Sequence, residues 1–205
     1  MLRPVGCAPA GALVGGANGA LAGWCGIYDW HHPKGWVAAA LDSTWGLVGV
    51  TGGLALHAVN AAPRDAGYVD DLSRRQNRFV YERGWSPRRR FAFTAGNVVT
   101  GAGDPTNPRR RQLVERHEDL HVWQGRWFGP FYPALYAAWM AGGTVAGTWA
   151  WARRKEPSLF QAVERRAYYY NPFERRAYAA DDNWPPRRLQ AMRSGERDRE
   201  PGEAP

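Results

Sequence analysis

The stretch RHEDLHVWQ, residues 116 to 124, holds an H-E-x-x-H pattern in His117, Glu118 and His121. On a helix, residues four apart share a face, so His117 and His121 can offer imidazole nitrogens to one metal ion. Glu118 lies about 100° round the helix from His117, where it flanks the metal without ligating it. The chemistry this arrangement suits is hydrolysis. Zinc lowers the pKa of a bound water to about 7, and the flanking carboxylate takes its proton and hands it to a leaving group.

A catalytic zinc needs three protein ligands and one open position. The other histidines, His31, His32 and His57, all precede the motif and read as interface or core residues. A purely structural site prefers four Cys or His ligands, and none remain. The third ligand is therefore expected to be a carboxylate. Glu174 in NPFERRAY is the first choice, Glu164 in the near-echo VERRAYYY the second, and Asp181 or Asp182 the third.

The surrounding pattern supplies a helix for the motif. Thr106 or Asn107 can cap it, with Pro108 in the first turn, where a missing N–H costs nothing. Gly129-Pro130 is a stop signal. Arg109, Arg110 and Arg111 are oddly placed, because positive charge in a first turn opposes the helix dipole. Something anionic outside the helix, such as lipid headgroups, would compensate. Upstream, FAFTAGNVVTG (91–101) reads as a strand or hairpin arm broken at Gly96, with RFVYERG (78–84) as its partner across Trp-Ser-Pro. Such a strand would offer an edge to an extended peptide.

Residues 91 to about 182 resemble the gluzincins, in particular the membrane-embedded branch of CAAX-prenyl endopeptidases and their bacterial heat-shock relatives. FAFTAGNVVTG stands for that group's strand, HEDLH for its helix, 131–152 for its apolar stretch and Glu174-Arg175-Arg176-Ala177-Tyr178 for its last motif. The resemblance implies zinc held by His117, His121 and Glu174, with Glu118 as general base on a zinc-bound water and a peptide or protein as substrate. The group has an Asp four residues after the ligand Glu, orienting a ligand histidine; here the residue is Tyr178. Asp181, one turn on, is a substitute, and Tyr168, Tyr169 and Tyr170 are candidate oxyanion donors, with Tyr170 the one retained.

Composition frames where this chemistry would sit. Of 205 residues, 27 are Lys or Arg and 19 are Asp or Glu, and the net charge of +8 is carried almost wholly by Arg. That balance favours anionic partners. The Arg pairs are dispersed and no nucleic-acid-binding motif accompanies them, so no nucleic acid is expected. Cys7 and Cys25 are too few for a disulfide framework. The first 22 residues make a poor signal peptide.

Gly11, Gly15, Gly19 and Gly23 fall every four residues, a small-xxx-small stripe that lets another helix approach and allows self-association. Residues 36–61 are a second apolar stretch, long enough for a span of roughly 20 residues, though Asp42 and His57 interrupt it. The reading is an α+β, mainly helical protein in three parts. A glycine-rich apolar helical hairpin (1–61) would associate with a membrane, a zincin-like catalytic region would cover 62–182, and 183–205 would be a disordered polar tail. Its rival is a non-enzymatic membrane-associated protein that uses the glycine stripe and carries a degenerate H-E-x-x-H.

Topology constrains the zinc reading. If 131–152 crossed a bilayer once, Glu174 would lie on the opposite side from His117 and could not be a ligand. The stretch must therefore turn back at Gly142-Gly143 or pack as a core helix.

Overall fold

A computed structural model describes residues 7–61, 66–87 and 91–194. The protein is mainly helical with a small mixed three-stranded sheet. The chain divides into two compact units, Met1–Pro133 and Ala134–Pro205.

The first unit begins with α1 (Cys7–Cys25), α2 (Pro33–Ser43) and α3 (Leu47–Ala61). The apolar stretch 36–61 is thus not one helix: it breaks at Thr44–Gly46, where the α2 cap turns the chain. No helix among the described residues is long and apolar enough to cross a membrane. α1 is uncharged and glycine-rich, so its stability comes from packing rather than propensity. Gly11 and Gly15 of its stripe face Leu47, with room for a methyl group, while nothing lies within 4 Å of where a Cβ on Gly19 or Gly23 would sit.

The sheet follows. β1 (Phe79–Val80) pairs parallel with β3 (Val98–Thr100), and β2 (Phe93–Ala95) pairs antiparallel with it, in the order β1-β3-β2. The hairpin therefore lies inside 93–100, turning on Gly96-Asn97. Residues 79–80 are not its antiparallel partner but join the other side of β3. A two-residue Gly-Asn loop closes a hairpin locally, so the strand at 79–80 is left to pair in parallel from further off. Alternate residues serve opposite faces. Phe79 and Val98 pack with Ile27, Ala38 and Leu56 from the α1–α3 side. Val80 and Val99 pack with Leu72, Val114 and Val122 on the other.

Val114 and Val122 belong to the motif-bearing helix, which runs as α4 (Pro108–Gln112), a π-helical turn (Leu113–Glu118) and α5 (Asp119–Phe128). Asn107 caps it, its side chain accepting from the backbone N–H groups of Arg109 and Arg110. Two of the first-turn arginines find partners within the protein. Arg111 pairs with Asp71 and Glu115, and Arg110 donates to the Gly101 carbonyl at 2.7 Å.

A buried ion pair holds α5 in place. Arg126 Nε and Nη2 each reach an oxygen of Asp42 on α2 at 2.8 Å, and both side chains are 2% exposed. Tyr28 donates to the same carboxylate at 2.9 Å, Asn97 reaches it at 3.2 Å, and Asn18 bridges the two. Burial, with the Asp42 carboxylate beside it, pushes the Tyr28 phenol above its usual range. Asp42 is thus the anchor of a network joining α1, α2, α5 and the hairpin turn. Burial also pushes His57 down to about 4, so its imidazole is neutral at pH 7.

The second unit contains most of α6 (Phe131–Ala152), α7 (Leu159–Val163), a π-helical turn (Glu164–Tyr169), α8 (Pro172–Ala180) and α9 (Arg187–Ser194). α6 runs unbroken through Gly142-Gly143, so the chain does not turn back there. The glycines serve close packing instead. A Cβ on Gly143 would meet Ala167 Cα at 2.5 Å, and one on Gly147 would meet Val163 Cα at 2.7 Å. Residues 159–169 therefore return antiparallel along α6, backbone against backbone, the geometry that small residues four apart permit. The return brings α8 to the start of α6, where Phe173 stacks on Tyr136 with ring centroids 6.2 Å apart. Part of the segment expected as a tail is ordered: α9 buries Leu189 completely. Residues 195–205 of that tail lie outside the described residues.

Candidate metal centre

His117 and His121 sit at the junction of the π-helical turn and α5, buried to 4% and 8% exposure. Their Nε2 atoms face each other at 3.3 Å. Two nitrogens bound to one tetrahedral zinc at about 2.0–2.1 Å are held roughly 3.3–3.4 Å apart. The histidine pair therefore already has the separation that shared ligation requires.

Glu118 is 5% exposed. Its Oε2 accepts a 2.6 Å hydrogen bond from the Thr94 hydroxyl on β2, an edge strand of the sheet. Arg110 is close enough for its charge to interact with the Glu118 carboxylate. The general-base candidate thus has its rotamer fixed by the sheet and a cation beside it. Neither Thr94 nor Arg110 stood out in the sequence as a site residue.

No family model, curated protein or solved structure matches this chain. The residues alone carry the functional argument.

Glu174 lies in the first turn of α8, capped by Asn171 with Pro172 at the first helical position. Tyr136 donates to Glu174 Oε1 at 2.8 Å. Tyr168 is half-buried nearby, and the desolvation of its hydroxyl, with the Glu174 and Tyr178 side chains around it, pushes its phenol well above the usual range. Glu174 is itself buried, at 4% exposure.

The other candidates have surroundings of their own. Glu164 pairs with Arg188 at 3.0 Å. Tyr178 shares a 3.3 Å hydrogen bond with Tyr168. Asp181 is fully buried at the end of α8. Asp182 follows with φ 56 in the turn beyond it. Tyr170 is exposed, with the Arg193 guanidinium over its ring. His31 and His32 are exposed, and His57 contacts Tyr81 through Nδ1 at 2.7 Å.

Two further residues lie near the histidines, and only the first carried a signal in the sequence. Gln124 follows His121 by one turn, a spacing that places it on the histidine face. Tyr132 follows Gly129-Pro130, and nothing in the sequence shows that the chain would fold it back onto α5. Gly129 makes the corner at φ 52, tight against the Trp45 indole, and Tyr132 returns to within 3.3 Å of His121 Nδ1.

Proposed function

We propose that the protein is a membrane-associated zinc-dependent peptidase, with His117, His121 and Glu174 as zinc ligands and Glu118 as general base. The observation that carries this reading is the pair of imidazole Nε2 atoms 3.3 Å apart on the motif-bearing helix, and buried Glu174 is the carboxylate we assign to complete the donor set. Two His and one Glu is a catalytic rather than a structural zinc set, since it leaves a fourth position. Bound there, zinc would supply a Lewis acid for a carbonyl oxygen and a water acidic enough to attack at neutral pH.

The chain's own residues supply the rest. Thr94 fixes one oxygen of Glu118, leaving the other to receive a proton from water and return it to the departing amine. Tyr136 fixes one oxygen of Glu174, which aims the carboxylate. Because Thr94 lies on edge strand β2, a peptide laid along that edge would run beside Glu118. Zinc-loaded protein should cleave peptides, lose that activity to a chelator and regain it with zinc. Failure of the zinc-loaded protein to cleave a diverse peptide library would overturn the reading.

Membrane association rests on surface chemistry. α1 carries no charge, and Leu13, Trp24, Trp30 and Trp36 are exposed around it and α2. Indole rings favour the membrane–water interface, and a net charge of +8 favours anionic headgroups. The protein should co-sediment with anionic vesicles and do so less at high salt; equal recovery with and without vesicles would contradict this. The rival reading keeps the membrane and drops the chemistry. It is favoured by the open face of α1 at Gly19 and Gly23, where a second copy could pack.

A further inference from the structure

Two groups that meet His121 Nδ1 come from its own helix and from the corner that follows. Gln124 places its amide oxygen 2.9 Å from His121 Nδ1. The Tyr132 hydroxyl lies 3.3 Å from that nitrogen and donates to the same Gln124 oxygen at 3.3 Å. Gln124 is as buried as His121, so water competes little for these groups.

An amide oxygen only accepts hydrogen bonds, so the hydrogen in the 2.9 Å contact belongs to Nδ1. A neutral imidazole carries one N–H, and with it on Nδ1 the lone pair is on Nε2. That is the atom turned toward His117 Nε2. With the proton on Nε2 instead, the face that must bind a metal would present a donor, and Nδ1 would set its lone pair against the amide oxygen.

We propose that Gln124, supported by Tyr132, is the positioning group that fixes the tautomer and ring angle of His121. The sequence offered Tyr178 and Asp181 for an orienting role. Gln124 reaches His121 from the histidine's own helix, one turn on, with a neutral amide in place of a carboxylate. The consequence for metal binding rests on the zinc reading; the tautomer does not. The corner at Gly129 is part of the device, because it returns Tyr132 to the Gln124 oxygen.

Two measurements at neutral pH test this, on wild type, Gln124→Leu and Gln124→Glu. In the metal-free protein, nitrogen-15 NMR of the histidine ring should show His121 protonated on Nδ1 in wild type and in Gln124→Glu, and a mixture of tautomers in Gln124→Leu. Competition with a chelator should show zinc held 10–100-fold more weakly by Gln124→Leu, the usual cost of losing an outer-shell partner, and recovered in Gln124→Glu. A merely structural role would lower the melting temperature of both variants together and leave the tautomer alone. A wild-type His121 protonated on Nε2, or Gln124→Leu with an unchanged zinc constant, overturns the proposal. Wild type that binds no zinc but shows the expected tautomer change sinks the zinc reading and leaves the positioning role standing.

Discussion

Glu118→Gln should lower peptide hydrolysis by about 10²–10⁴-fold while the zinc content stays at that of wild type, because loss of a general base typically costs this much. Gln has the shape of Glu and can still accept the hydrogen bond that Thr94 now makes at 2.6 Å. What it cannot do is receive a proton from water. The buried setting sharpens the contrast: with Glu118 at 5% exposure, bulk buffer has little access to stand in for the carboxylate. Metal content and turnover should therefore separate in this variant. Full activity in Glu118→Gln would mean that another group takes the proton.

The second large effect lies away from the chemistry. Asp42→Asn should destabilise the protein by about 3–5 kcal/mol, since it leaves the Arg126 guanidinium buried without its counter-charge. The pair is 2% exposed on both sides and makes two 2.8 Å contacts. Arg126→Met should cost about as much for the mirror-image reason. Replacing both together, Asp42→Leu with Arg126→Met, should cost markedly less than the sum, because neither charge is then stranded. Urea denaturation of the four proteins measures all of this. Single variants within about 1 kcal/mol of wild type would show that the pair is screened by water and does not hold α5.

The sequence showed local features more readily than long-range ones. The Asn107 cap, Pro108 in the first turn and the Gly129 stop are signals within a few residues of their effect, and the helix carrying HEDLH forms between them. The π-helical turn through His117 and Glu118 left no such trace, since it depends on how Val114 and Val122 meet the sheet. Asp42 looked like a flaw in an apolar span because its partner, Arg126, is 84 residues away. Gly142-Gly143 looked like a turn because glycine is costly inside a helix. Packing against Ala167 overcomes that cost, and only the folded second unit contains that contact.

The ligand assignment shows the same limit. VERRAYYY and FERRAYAA are nearly the same octapeptide, so sequence alone barely ranks Glu164 against Glu174. Their surroundings differ. Glu164 meets Arg188, whereas Glu174 follows the Asn171-Pro172 cap into a setting of tyrosines beside Tyr136. Within the second unit, the antiparallel return along α6 brings α8, and Glu174 with it, level with the helix start.

The central claim is that His117, His121 and Glu174 hold one zinc ion. Elemental analysis of purified wild type, His121→Ala and Glu174→Ala tests it most directly. About one zinc per chain in wild type and its loss in both variants, with folding intact by circular dichroism, is the predicted result, since three protein ligands are needed to retain a catalytic zinc. Zinc absent from wild type after reconstitution, or retained in full by Glu174→Ala, would contradict it.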